Sequence, residues 1–285
     1  MNLAPPIFRR NTRLLLSGLL VVALTGCGDG SGAPVFERAA NALGITDPPA
    51  PAALSVDVLC DFSEGAPCTP KNLSETISGI LPVLASRPGS EVRLWVQGED
   101  VSSTEIVSTI TVPRYKSRRR HTLELEEKAW VSQARPSLLR PLKPVWSARQ
   151  PRRSPIAEAL TKTALTEVPQ GHERVIVALT DGREVTRLGN FESGSLPSRD
   201  TFLSRLGREA LLLPGSCKGI RVLFAFLGPS PNRGPSCPMS LGRTQGIEEL
   251  WRAALLRAGA REVRFFALRP VIEEDEEPMK GGARS

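Results

Sequence analysis

The chain has 285 residues, 40% of them hydrophobic, which is enough for one or two globular domains with a buried core. Lys and Arg number 37 against 30 Asp and Glu, a formal net charge of +7. His121 and His172 are the only histidines, so a zinc site built from histidines is poorly supported and a Ser/His/Asp triad would have to use one of these two. No Gly-rich loop ending in Lys-Ser or Lys-Thr is present to cradle a phosphate.

Residues 1–13 carry Arg9, Arg10 and Arg13 and no acid, and 14–24 form an apolar stretch broken only by Ser17 and Gly18. That stretch falls short of the roughly 20 apolar residues a transmembrane helix needs. It ends in Leu24-Thr25-Gly26-Cys27, which resembles the lipobox of bacterial lipoproteins. The resemblance implies a signal peptide over 1–26 and a diacylglycerol thioether on Cys27. Thr12 and Arg13 stand where a twin-arginine signal has apolar residues, so the general secretory route is expected. Acyl chains contribute about 0.8 kcal/mol per buried methylene, and several of them hold a protein on a membrane without a spanning helix. Gly28, not Asp, follows the cysteine, which favours the outer membrane. Without the three leader arginines 34 basic and 30 acidic residues remain, a net of +4. Export also separates the chain from intracellular nucleic acid, which is therefore not an expected partner.

Residues 27–53 are rich in Gly, Pro and Ala and read as a flexible tether, with a weakly amphipathic piece at 35–43. One domain is expected over 54–270. It opens with a β-type run at 54–60 and a helix at 70–85, where Leu73, Ile77, Ile80, Leu81 and Leu84 recur at helical spacing. Runs at 92–96 and 106–112 flank Gly98-Glu99-Asp100 and read as a hairpin. Residues 113–153 are expected to be mainly surface loops. They hold the basic run Arg114 to His121, a helix over 122–133 and a Pro- and Arg-rich connection. The basic run reads as a solvated loop whose ligand outside the cell, if it has one, is anionic lipid or glycan. Ser154-Pro155 then opens a helix reaching 167, with serine as cap and proline in its first turn.

The near-continuous apolar run 175–179, closed by Thr180-Asp181-Gly182, has the character of a parallel strand covered on both faces. A helix at 202–211, a strand at 220–227, a helix at 247–258 and a strand at 263–268 follow, and 271–285 form an acidic, disordered tail. Strands alternating with helices imply a doubly wound, mostly parallel α/β sheet of Rossmann-like type with one antiparallel edge hairpin. Trp95, Trp130, Trp146 and Trp251 read as core or loop anchors. With Cys27 lipidated, Cys60, Cys68, Cys217 and Cys237 remain, an even number for an oxidising compartment. Three pairings are open. Short loops favour Cys60 with Cys68 and Cys217 with Cys237, while Cys60 at a strand end is alternatively a small buried thiol.

In open parallel sheets ligands bind beyond the carboxyl ends of the strands. Asp61 follows the first strand and Asp181 the central one, so parallel pairing brings both to one rim. Two carboxylates there repel unless one is protonated or a cation lies between them. Ser63, Ser154 and Thr180 would surround such a cation with hydroxyl oxygens, which suit a hard metal. Here the residues resemble the von Willebrand factor A domain, whose adhesion site uses Asp-x-Ser-x-Ser, a Thr before a later helix and an Asp within Thr-Asp-Gly. Asp61-Phe62-Ser63-Glu64-Gly65 matches the first motif at Asp61 and Ser63. Ser154 stands where the family places its Thr, and Leu179-Thr180-Asp181-Gly182 matches the last motif. Gly65 replaces the second serine.

The resemblance covers residues 54–270. It implies a binding or adhesion module, not an enzyme, with Mg²⁺ (or Mn²⁺ or Ca²⁺) held by Asp61, Ser63, Ser154 and Asp181, and with an envelope or extracellular protein as partner. A metal-free interaction lipoprotein is the alternative. A haloacid-dehalogenase-like phosphatase using Asp61 is weaker, because that family has a second Asp where this chain has Ser63.

Overall fold

The structure is a computed structural model that describes residues 51–116, 119–147, 152–225 and 240–266. The leader, Cys27, the tether up to residue 50, Cys237 and the acidic tail lie outside the described residues. Six strands make the main sheet: β1 (Leu54–Asp61), β2 (Glu91–Gln97), β3 (Glu105–Thr111), β4 (Glu173–Leu179), β7 (Arg221–Ala225) and β8 (Glu262–Phe266). Their order is β3-β2-β1-β4-β7-β8. Every neighbouring pair is parallel except β2 with β3, the edge hairpin. The expected doubly wound α/β sheet is therefore the observed one. A second, two-stranded sheet of β5 (Val185–Thr186) and β6 (Gly189–Asn190) was not foreseen; it grows from the turn after β4.

Both faces of the sheet are covered, which is why β1, β4 and β7 are apolar almost throughout. Residues of β1 alternate between the two faces. Val56, Val58 and Cys60 face a cluster with α1 (Pro70–Ala85) and α2 (Arg120–Leu139), through Leu73, Ile77, Leu81 and Leu138. Leu59 faces the opposite cluster with α4 (Ile156–Leu165), α5 (Arg199–Arg208) and α6 (Leu241–Arg257), through Leu160, Phe202 and Trp251. Within that cluster the Trp251 ring lies 5.5 Å from Phe202 and 5.9 Å from Phe224, centroid to centroid.

Three expectations are corrected. Residues 113–153 are mostly helical where described: α2 runs on to Leu139, and a 3₁₀ turn (Arg140–Leu142) and α3 (Lys143–Ser147) follow. Pro136 sits inside α2 because burial of Ala134 and Leu138 against the core offsets the one backbone hydrogen bond that proline removes. The helix after Ser154 begins only at Ile156, with Pro155 at the cap position, so Ser154 is not the helix cap. Cys217, expected to pair with Cys237, is a buried free thiol. It packs in the core under the turn leading to β7, where burial raises its pKa. Cys60 and Cys68 do form a disulfide, with Cα atoms 5.6 Å apart, within the usual range.

One charged cluster holds the central strands together. Asp57, in the middle of β1, is fully buried. Arg93 of β2 donates to both its oxygens at 2.7 and 2.9 Å. Trp95 Nε1 donates at 2.8 Å, and Arg174 of β4 donates through Nε and Nη2 at 3.0 and 2.9 Å. Arg174 Nη1 also donates to the carbonyls of Ala164 and Thr166 at the end of α4. Removing one member of a buried ion cluster leaves the others uncompensated, at about 3–5 kcal/mol. Asp57→Ala should therefore lower unfolding stability by about 3–5 kcal/mol in denaturant titration. A loss below about 1 kcal/mol, the range of a surface pair, would show that the cluster does not hold these strands.

Candidate functional site

Strand β1 lies between β2 and β4, with Asp61 in register with Gln97 and Cys60 with Leu179. The carboxyl ends of the three strands therefore deliver Asp61, Gln97 and Thr180-Asp181 to one edge. This is where the strand order reverses direction, the place where open α/β sheets bind ligands.

Asp61 is the hub. Its Oδ1 accepts the Ser63 amide at 2.9 Å, and its Oδ2 accepts the hydroxyls of Ser154 and Thr180, each at 2.8 Å. Ser154 Oγ in turn accepts from Gln97 Nε2 at 3.2 Å. Ser154 is held there by a bridge to Val185, which explains why its hydroxyl serves Asp61 and not the helix. Ser63 is 4% exposed and its Oγ has no hydrogen-bond partner; Gln97 is 2% exposed and its Oε1 has none either. Gly65 has φ of 76° in a tight turn closed by the Ala66 amide on the Ser63 carbonyl, so a serine there would be strained. The lost second serine oxygen follows from that turn.

Asp181 follows Thr180 directly, but it is held by different partners. Its Oδ1 accepts the Arg183 amide at 3.1 Å, and its Oδ2 lies 3.5 Å from Arg183 Nε. Gly182 turns the chain with φ of 75°, and its carbonyl accepts Trp251 Nε1 at 2.9 Å. Of the four foreseen ligands, the contacts join Asp61, Ser63 and Ser154, with Thr180 added. Asp181 sits at the same strand end, tied to Arg183.

Arg183, Glu184 and Gln97 were missed by sequence reasoning. Only their nearness to the two motifs marked Arg183 and Glu184, and nothing marked Gln97 beyond its place at a strand end. Glu184 does the work assigned to Ser154: its Oε2 accepts the Ala157 amide in the first turn of α4 at 3.0 Å. Burial pushes its carboxyl from the ordinary 4.5 up to about 8, against the lowering effect of the Thr186 hydroxyl and the Ala157 amide.

The oxygens around Asp61 have the chemistry of a hard-cation site, with no imidazole or thiolate among them. Ser63 Oγ and Gln97 Oε1 are buried acceptors still to be satisfied, so the residues fit a Mg²⁺ or Mn²⁺ ion. Among the described residues no three His, Cys, Asp or Glu side chains group together, so any such ion depends on hydroxyls as well as carboxylates. A cleft of about 520 Å³ opens beside Ser154, lined in part by Glu99, Arg153, Glu158 and Arg187. The larger groove, about 690 Å³, lies between α5 and α6 and includes none of these site residues.

No protein-family model matches this chain, and no curated protein matches it. Among solved structures, proximal thread matrix protein 1 from the mussel byssus is similar over 72% of this chain, at 10% identity and a TM-score of 0.29. The match takes in 47% of that protein, so the chain spans about half its length. A likeness this loose carries no argument about fold or function.

Glu184 generates a pH prediction. Below pH 4.5 the carboxyl is protonated both folded and unfolded. Between 4.5 and about 8 the unfolded chain releases the proton while the folded chain keeps it, so stability falls as pH rises. The slope approaches about 1.4 kcal/mol per pH unit at most and flattens above about 8. Glu184→Gln should remove this slope in denaturant unfolding between pH 5 and 9. Identical profiles for the variant and the wild type would show that Glu184 is not buried as a neutral acid.

Proposed function

We propose that this chain is a lipid-anchored binding module of the cell envelope, built on a von Willebrand factor A-like domain, that grips a protein partner at the rim around Asp61. The observation that carries the reading is the convergence of hydroxyls from two separate segments, Ser154 and Thr180, on one carboxylate at the sheet's ligand-binding edge. A strand-end turn needs no such convergence.

A bound Mg²⁺ would supply an open coordination position for a carboxylate of the partner. The chain's own residues prepare for it. Asp61 collects the hydroxyls, and each can turn its hydrogen away and offer a lone pair, because a hydroxyl both donates and accepts. Gln97 holds Ser154 at the required place. Ser63 Oγ supplies a further oxygen, and the turn at Gly65 keeps the loop tight. The phosphatase reading is disfavoured, because both oxygens of Asp61 are engaged by donors and Ser63 stands where that chemistry needs an acid.

The metal-free interaction module remains the second reading, and one observation favours it: Asp181 already has a cation beside it in Arg183. Lipidation of Cys27 rests on the lipobox-like Leu24-Thr25-Gly26-Cys27. Among the described residues no helix is long and apolar enough to cross a membrane.

Two experiments test this reading. The detergent-solubilised full chain should bind one Mg²⁺ or Mn²⁺ ion by calorimetry, and Asp61→Ala or Asp181→Ala should abolish binding while the chain stays folded by circular dichroism. Absence of binding at millimolar metal, or unchanged binding in both variants, removes the metal reading. Cys27→Ser should leave the chain uncleaved or release it from membranes on fractionation. A wild-type chain whose Cys27 carries no diacylglyceryl mass would end the anchor reading.

A further inference from the structure

Arg183 is an unexpected neighbour for a cation site. It follows the Thr180-Asp181-Gly182 turn, is 2% exposed, and is among the largest fully buried side chains of the fold. Through its amide and its Nε it reaches both oxygens of Asp181. A guanidinium cannot be deprotonated in a protein, so it stays charged when buried. Desolvation of that charge is tolerated only where a well-placed acceptor offsets it. Asp181 Oδ2 lies 3.5 Å from the Arg183 Nε, an ion pair longer than a hydrogen bond, and Asp181 is also the carboxylate that a divalent ion at the rim would need.

The backbone around this pair is fixed. Trp251 Nε1 holds the Gly182 carbonyl at 2.9 Å, the Glu184 carboxyl group holds the start of α4, and the Glu184 carbonyl accepts the Phe191 amide at 2.8 Å. A rearrangement that separates the Arg183 guanidinium from Asp181 Oδ2 is therefore a swing of the Arg183 side chain, without movement of the turn. A divalent ion and a guanidinium sharing one carboxylate oxygen repel at short range in a poorly screened interior.

We propose that Arg183 is the resident cation of the rim and that a divalent ion binds only by displacing its guanidinium from Asp181. The site then has two states, one closed by Arg183 and one loaded with metal, and Arg183 sets the affinity between them. It is a positioning and competing residue, not a ligand. This rests on the metal reading above and goes beyond it, because it explains where the first cation already is. It also gives the missing serine at Gly65 a consequence. With one oxygen ligand fewer, the metal has less interaction energy with which to expel the arginine.

The test compares Mn²⁺ affinity, by calorimetry, in the full-length wild type and in Arg183→Gln and Arg183→Lys. Arg183→Gln removes the competing charge and should bind Mn²⁺ at least about tenfold more tightly. Arg183→Lys keeps the charge and should stay near the wild type. Because a buried arginine supports folding, a measurement on the wild type stands beside the variants. The Arg183 Nε–H resonance, assigned by its loss in Arg183→Lys, should shift and lose exchange protection as Mg²⁺ is added.

A tenfold gain in Arg183→Gln over a wild type that itself binds the metal supports the competition. If Arg183→Gln does not fold, the Nε–H response of the wild type decides. Equal or weaker binding in Arg183→Gln, or an Nε–H signal unmoved at metal saturation, overturns it while leaving the metal site standing. No binding by any of the three chains overturns the competition and the metal reading together.

Discussion

Parallel pairing of β1 with both of its neighbours is the constraint on which the rest depends. A parallel strand needs a crossover before its partner can return, so residues far apart in the chain end at the same edge only when each crossover packs back on the sheet. Here α1 covers one face and α4 the other, each packed in its own apolar cluster. As a result Asp61 meets Ser154 and Thr180, 93 and 119 positions further on. The Asp57 cluster reinforces the same arrangement from the middle of the strand, because its two arginines come from the two flanking strands, β2 and β4.

Most of the sheet was legible because its information is periodic. Runs such as 175–179 are apolar on both faces, and α1 shows its stripe of Leu73, Ile77, Leu81 and Leu84, so element type and order followed from spacing alone. The edge hairpin followed from alternation and a turn-forming tripeptide. What failed was less periodic. Pro136 looks like a stop because proline is costly in an isolated helix, and only the burial of Ala134 and Leu138 overrides that cost. The short β5–β6 ladder has two residues a side, too few to leave a pattern.

At the site, legibility divided along a different line. Asp61, Ser63 and Ser154 could be named because each sits at a strand or helix boundary that the periodicity marks. The role of Ser154 was still misjudged in one respect: a serine before a helix is usually its cap, and here Glu184 reaches across to take that place. Such substitution of one capping group by another from elsewhere in the chain leaves no local trace. Gln97 and Arg183 matter because of what they touch across the fold, and a contact between segments is not written at either residue. Cys217 shows the same limit. Cysteine parity suggested a partner, whereas packing in the core makes it an ordinary small apolar side chain.

Asp57 and Asp61 stand four residues apart on one strand, and strand geometry sends both to the same face. They are nonetheless buried in opposite ways. Asp57 is surrounded by two arginines and an indole, five donors in fixed directions that no incoming group can displace without exposing a charge cluster. Asp61 is met, apart from one backbone amide, by hydroxyls alone, and among the described residues no arginine or lysine pairs with it. Hydroxyl donors can reverse into acceptors by rotation about one bond, at far lower cost than moving a guanidinium. The strand thus carries one carboxylate that is closed and one that is left adjustable, and the adjustable one lies at the sheet edge, where a ligand would arrive. Asp181 falls between these cases. Beside its Oδ2 stands a cation like those of Asp57, but on a single side chain next to a tight turn and 3.5 Å away, a looser hold than the hydrogen bonds around Asp57.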